Sequence, residues 1–464
     1  MLGTVAHVTP WGIPCGVAKH LSYWLASVSA DWDSVILADH PPPWYGPPED
    51  TEGWPVDRCW NRSRAESLPD IQAAVESCRA KIVHWQWDPS FFPYRAILAY
   101  GEWAADTGVR TVATLHTLED IDVFAFQNQS MLRVVDQVVV GTPGMADAWT
   151  AYAKRFHIRL ARPIRVIPLP VPPVPPTPAP KATPAPLVLT WGMLGHGKGH
   201  ETVLEAVKLL RQGDYPEARY LVVGRALTGE QKQHLADLEK LAATEDALEL
   251  RVDWPSEQDI YALCGSAHAI ALNHQWQHES SSGTVALSVA SGTPVVVSVS
   301  PMFSGYEGAV RVAGDTAQAW ANALADAIGQ PEQFAAGRAE VLRRITGAAV
   351  AAQYEQIYSS LLVASYQDPA DAAAVAEAIW GRPQPVPFQP KEVVMAGPQV
   401  ELAARRKRAA LAGMRVLLSQ ARYALEQDPN EHSRLNARDL FDAAIIMLDV
   451  FDQVEATPAE EIPA

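Results

Sequence analysis

The sequence predicts an α/β chain of two Rossmann-like domains facing a cleft, followed by a C-terminal α-helical hairpin. Three observations carry that reading. Short β-branched runs alternate with longer helical patterns through most of the 464 residues, and such alternation builds parallel sheets covered by helices on both faces. A proline cluster divides the alternation into two blocks, with eleven prolines in the 24 residues 163–186. Beyond a second Pro/Gly break the strand pattern stops, and two amphipathic stretches remain.

In the first block the strands are expected at residues 3–8, 34–38, 81–84, 110–116 and 136–140. In the second they are expected at 187–191, 219–223, 248–252, 268–273 and 294–299. Between them lie stretches such as 201–211, where Val203, Leu204, Val207 and Leu210 recur on one helical face. Prolines lack the N–H and the free φ that a central strand or helix interior needs, so the cluster reads as a stiff polyproline-like connector. The resulting plan is a first domain over 1–165, a linker over 166–186 and a second domain over 187–365, whose last helix can pack back on the first. A linker at 366–398 leads to a hairpin and tail over 399–464, with helices at 400–426 and 433–454 around Asp428-Pro429-Asn430.

Charge and cysteines narrow the function classes. The 37 Lys and Arg against 53 Asp and Glu give a net charge of -16. A surface of that sign does not coat nucleic acid or an anionic membrane as a whole, although a local basic groove still holds an anionic ligand. Cys15, Cys59, Cys78 and Cys264 show no CxxC or zinc-finger spacing, which reads as free thiols in a reducing compartment. No stretch reaches the ~20 apolar residues of a transmembrane segment, and the first residues lack the pattern of a secretory signal. The expected location is cytoplasmic.

Three loops carry the chemistry. Thr190-Trp-Gly-Met-Leu-Gly-His-Gly-Lys-Gly-His200 follows a strand and opens a helix. Its glycines, Gly197 among them, let backbone approach a ligand, the helix start offers unpaired N–H groups, and Lys198 supplies a point charge for phosphate. It is not a P-loop, because His200 stands where Ser or Thr would follow the Gly-Lys pair. The second loop begins His278-Glu279 and runs through Ser281, Ser282, Gly283 and Thr284 into a helix and a Gly-Thr-Pro turn. Hydroxyls and backbone donors there make a second anion site, while Glu279 beside it suits sugar hydroxyls. The third, residues 9–20 after the first strand, holds Gly12 and Gly16 at the start of a helix, at the end of the sheet where such folds bind ligands.

In this order, and across a proline-marked linker, the three loops resemble the GT-B fold. They are most similar to the retaining glycosyltransferases of family four, over about residues 1–365. The family's Gly-Gly-Val loop corresponds to Cys15-Gly16-Val17, its Gly-Arg-Leu…Lys-Gly diphosphate loop to Gly192-Met193-Leu194 and Lys198-Gly199, and its Glu segment to Glu279 through Gly292-Thr293-Pro294-Val295-Val296. Two positions depart from the pattern. Met193 replaces the diphosphate arginine, and Leu287 replaces the second glutamate, which contacts ribose. The Ser-Ser-Gly-Thr form resembles a variant branch in which serine and backbone donors replace the glutamate pair.

The resemblance implies transfer of a hexose from a nucleoside-diphosphate sugar to an unknown acceptor, with retention at the anomeric carbon. Lys198, Gly197, Ser281, Ser282, Gly283 and Thr284 would hold the diphosphate. Gly16 would bring backbone donors near it, and Arg225 would contact the nucleotide. Glu279 and His116, the latter at a strand end in His-Thr-Leu-Glu-Asp, would hold the sugar. His84 with Trp85 and Trp87 offers an acceptor site, since indole faces stack on sugar rings. No cofactor is implied and no metal, because no Asp-x-Asp motif stands in the right context and cationic and backbone donors take the ion's place. Arg408, Arg415 and Arg422 repeat at seven along the first hairpin helix, facing the second helix's Asp439, Asp442, Asp449 and Asp452. These stripes fit pairing within the hairpin or across a homo-oligomer, or docking of an anionic polymer such as DNA. A nucleotide-sugar epimerase, a phosphorylase and a non-catalytic interaction protein share the fold, which does not fix the reaction.

Overall fold

The computed structural model describes residues 2–13, 15–41, 47–48, 53–62, 64, 67–117, 124–172, 181, 184–227, 229–275 and 282–366. Most of the proline linker, the second break and the helical hairpin at 399–464 lie outside the described residues.

The first half alternates β1 (Gly3–Thr9), α1 (Gly16–Leu25), β2 (Trp32–Asp39), β3 (Val56–Trp60), α2 (Ser67–Ser77), β4 (Ile82–Trp87) and α3 (Tyr94–Thr107). It continues with β5 (Arg110–Leu115), α4 (Ala125–Val134), β6 (Gln137–Val140), α5 (Pro143–Arg155) and β7 (Arg165–Val166). The seven strands pair in the order β3-β2-β1-β4-β5-β6-β7, all parallel. The second half holds β8 (Leu187–Met193), α6 (His200–Gln212), β9 (Arg219–Arg225), α7 (Gly229–Ala242), β10 (Leu248–Val252) and α8 (Glu257–Ser266). Then come β11 (Ala269–Leu272), α9 (Gly283–Ser291), β12 (Val295–Val297), β13 (Val310–Val312), α10 (Ala317–Gly329), α11 (Ala335–Ile345) and α12 (Gly347–Tyr366). Its parallel sheet runs β10-β9-β8-β11-β12-β13. In each sheet the order reverses beside the first strand, between β1 and β4 and between β8 and β11. Ligands of open α/β sheets bind beyond the strand C-termini at such a switch.

Both faces of each sheet are buried, which explains the near-continuous apolar strands. In β4, Val83, Trp85 and Trp87 join the core formed with α2 to α5. On the opposite face Ile82 joins β-strand residues Ile36, Val112 and Val139, Leu21, Trp24 and Leu25 of α1, and Tyr354 and Tyr358 of α12. Helix α12 follows the second sheet in the chain yet completes the core of the first. Its Tyr354 ring stacks on Trp24 with centroids 4.5 Å apart, and Val171 N–H donates to Ile345 O just before the helix begins. Burying each such aromatic contributes roughly 1.5–3 kcal/mol.

Local signals place the helix starts. Thr142 caps α5 by accepting from Met145 N–H, with Pro143 at the first helical position. Ser256 caps α8 by accepting from Asp259 N–H. Gly292 ends α9 at φ 88°, the left-handed conformation that makes Gly-Thr-Pro a stop.

The ends of β8 and β9 meet through glycine. Gly192 pairs with Gly224 in register, and a Cβ on Gly224 would strike Gly192 O and press on Leu194. Gly224→Ala is therefore expected to destabilise the protein by about 2–3 kcal/mol through overpacking. A urea titration reads this as a lower midpoint at unchanged m, and an unshifted midpoint would show that the strand ends have slack.

Candidate functional site

The site is built from loops at the C-terminal ends of both sheets. After β8 the chain makes a 3-10 turn over His196–Lys198, and Gly199 at φ 56° reverses it into α6. Asn273 and Gln275, which follow β11, clasp this turn: Asn273 Nδ2 donates to Gly199 O at 3.2 Å, and Gln275 N–H donates to Gly197 O at 2.8 Å. A Cβ at Gly199 would collide with the Asn273 side chain, and one at Gly192 would come within 2.9 Å of Thr284 Cγ2. The starts of α6 and α9 and the end of β8 thus converge at one switch point, where helix N-termini attract anions.

At the start of α9, Ser282 is extended and caps no backbone N–H with its side chain; its hydroxyl lies 2.6 Å from Thr284 Oγ1 instead. Among the described residues, and apart from chain neighbours and each helix's own backbone, no atom lies within 4 Å of where a Cβ would stand on Gly283 or on Gly16. Lys198 is partly exposed on its turn. Its charge helps depress two neighbours: His200, lowered to about 3 by burial, His234 and Lys198, and His274, lowered by burial, Lys198 and His200.

Arg225 ends β9 in register with Met193, so a cation stands one strand away from the position where the resemblance expects arginine. Its guanidinium carbon lies 6.0 Å from the ring centre of Trp254, an indole left 42% exposed. Leu287 is buried in the core beneath α9 and offers nothing to a ligand. Glu279 and Ser281 lie outside the described residues.

On the other sheet, His116 follows β5. Its N–H donates to Trp87 O at 3.0 Å, its Nε2 is 2.9 Å from Gln86 Oε1, and its ring meets that of His20 edge-on at 5.0 Å. Burial lowers its pKa to about 4, with Asp88 opposing. Three contacts bring the strand C-termini of the two sheets face to face. Lys19 Nζ and Tyr23 OH of α1 both donate to Glu257 Oε1 of α8, at 2.9 and 3.0 Å. Thr142 Oγ1 donates to Pro301 O at 3.1 Å.

One expectation is corrected. His84, Trp85 and Trp87 line no sugar site, because β4 runs on to Trp87 and places all three inside a central strand. Trp85 is 2% exposed and the other two are fully buried. Trp85 packs edge-on against Phe92 and Tyr100, Trp87 Nε1 donates to Asn128 Oδ1, and both nitrogens of His84 are bonded, to Tyr358 of α12 and Thr114 of β5. Sequence reading also passed over Gln86, His20 and Asn273. The signal for Gln86 was a lone polar residue two positions on from His84 in an otherwise apolar, aromatic strand.

Among the described residues no group of three His, Cys, Asp or Glu side chains is disposed to hold a metal ion, and no helix is long and apolar enough to cross a membrane.

Residues 177–337 match the family described as Glycosyl transferases group 1. No curated protein matches the chain in sequence. Among solved structures, the sucrose-phosphate synthase of Thermosynechococcus elongatus is similar at 18% identity, covering 78% of this chain and 100% of its own, with a TM-score of 0.61. HepE of Anabaena, in complex with UDP-glucose, is similar at 15% identity over 77% of this chain and 100% of its own, with a TM-score of 0.57. A glycosyltransferase of Rickettsia africae is similar at 14% identity over 78% and 98%, with a TM-score of 0.59. These likenesses establish the two-sheet GT-B architecture. In sequence, residues 177–337 are similar to the group 1 glycosyltransferases, and in fold the described residues share the GT-B architecture.

Proposed function

We propose that the protein transfers a hexose from a nucleoside-diphosphate sugar to an acceptor, with retention of the anomeric configuration. The observation that supports the reading is the convergence of the α6 and α9 starts, close-approach glycines and Lys198 at the β8/β11 switch point. That arrangement suits a diphosphate whose charge grows as it leaves the sugar. Backbone at Gly197 and Gly283, the hydroxyls of Ser281, Ser282 and Thr284, and Lys198 hold the diphosphate. Arg225 supplies the second cation in place of the arginine absent at position 193, and Gly16 leaves room for backbone donors from the first sheet. Glu279 and His116 take the sugar hydroxyls. With these cations and dipoles neutralising the leaving group, the reaction proceeds without a metal ion. The UDP-glucose held by the structurally similar HepE supports a uridine donor as the first to try.

The test is release of nucleoside diphosphate from a panel of UDP-, GDP- and ADP-sugars, with and without EDTA. At least one donor is expected to turn over, at a rate EDTA does not change. Binding of none of them would overturn the reading. Epimerised free donor, or a requirement for inorganic phosphate, would replace transfer by epimerisation or phosphorolysis.

A further inference from the structure

Gln86 is 1% exposed in β4, and its amide joins two imidazoles. Its Oε1 lies 2.9 Å from His116 Nε2, and its Nε2 lies 3.3 Å from His84 Nε2. His84 is itself fixed: Nε2 is 2.8 Å from Thr114 Oγ1 and Nδ1 is 2.7 Å from Tyr358 OH. Thr114 Oγ1 is 2.9 Å from Tyr354 OH, which lies 3.4 Å from His20 Nε2. The chain of contacts runs from α12 through the first sheet to the two histidines that meet at its C-terminal end.

The chemistry of the groups orders the protons. An amide oxygen only accepts, so His116 Nε2 carries its hydrogen. An amide nitrogen only donates, so His84 Nε2 is bare and its hydrogen sits on Nδ1, donating to Tyr358 OH. Thr114 then donates to His84 Nε2, Tyr354 donates to Thr114, and His20 Nε2–H donates to Tyr354. The one lone pair of His84 Nε2 is shared, with Thr114 at 2.8 Å the principal donor and the Gln86 amide at 3.3 Å the weaker one.

We propose that Gln86 is a positioning residue that holds His116 as the Nε2-protonated tautomer, leaving Nδ1 as the acceptor nitrogen offered to a hydroxyl of the donor sugar. The role toward the sugar rests on the function proposed above, whereas the tautomer does not. A neutral His116 keeps that lone pair, and burial keeps the ring neutral. The groups that face it are His20 from α1, His84 from β4 and Asp88 just beyond β4.

The experiment uses the full chain labelled with 15N-histidine, with His116→Gln to assign the signal. At pH 7.5, long-range proton–nitrogen spectra of the wild type are expected to show a pyridine-type His116 Nδ1 and a pyrrole-type Nε2. Gln86→Leu should give a mixture of tautomers and lower kcat about tenfold, the worth of one neutral hydrogen bond, with little change in donor KM. Gln86→Glu keeps an acceptor at Nε2. It should preserve the tautomer, raise the pH at which His116 protonates and recover transfer on the alkaline side. A wild-type His116 protonated on Nδ1, or a tautomer unmoved in Gln86→Leu, would overturn the proposal. The expected spectra together with no transfer from any donor would instead overturn the glycosyl-transfer reading and leave the tautomer standing.

Discussion

Lys198→Ala is expected to lower kcat/KM for the nucleotide sugar by about 10²–10³-fold, the cost of removing one preorganised group that meets developing charge. Lys198 sits on a three-residue turn whose backbone is pinned by Gln275 N–H and, through Gly199, by Asn273. The ammonium is therefore presented from a fixed base rather than from a mobile loop. The side chain is partly exposed, and a melting curve of the variant separates loss of the charge from loss of the fold. Arginine at this position would restore charge but not the compact geometry of an ammonium, so Lys198→Arg should recover only part of the loss. Steady-state kinetics on the donor that turns over decide the matter. Undiminished activity in Lys198→Ala would remove the β8/β11 switch point from the mechanism.

Acid should unfold the protein earlier than its carboxylates alone would require. His7 is fully buried and lowered by burial to about 3, and His200 is 1% exposed and lowered to about 3. In the unfolded chain both return to about 6.5. Below that value the unfolded state binds protons that the folded state refuses, so stability falls as pH drops from about 6.5 toward 3. Above pH 6.5 the two groups contribute no pH dependence. At pH 5.5 each costs about 1.4 kcal/mol, together about 3 kcal/mol of a typical 5–15 kcal/mol. Urea midpoints at pH 7.5 and 5.5 measure the difference. Equal midpoints would mean that these imidazoles gain protons without opening the fold.

The sequence made the architecture legible because its largest signals coincide with its physics. Buried parallel strands such as Leu187–Met193 and Arg219–Arg225 are continuous apolar runs, and the glycines and capping residues between them mark turns. The strands that escaped notice are the edge ones, Val56–Trp60, Arg165–Val166 and Val310–Val312. They are short and partly exposed, so their hydrophobicity is diluted to the level of a loop. The glycine-rich loops announce themselves by composition, since a Cβ at Gly199 would collide with Asn273 and one at Gly192 would crowd Thr284. Sites made of strand residues do not. Ending β4 at His84 rather than Trp87 turned three core residues into an apparent sugar platform, and the same shift hid Gln86. Leu287 shows the converse: a departure from the family pattern that reads as lost chemistry in a string of letters is, in three dimensions, a core leucine.

The return of α12 to the first sheet bears on how the chain is made. Tyr354 reaches Thr114 across 240 residues and His20 across 334. A ribosome adding ~5–20 residues per second therefore releases β1 and α1 many seconds before the helix that covers them. Until α12 emerges, the indole of Trp24 and the face of α1 lack their lid, and the nascent first sheet depends on speed or on a chaperone to stay out of aggregates. A nascent chain stalled before residue 347 should remain protease-sensitive in its N-terminal half, even though every strand of that half has already been synthesised.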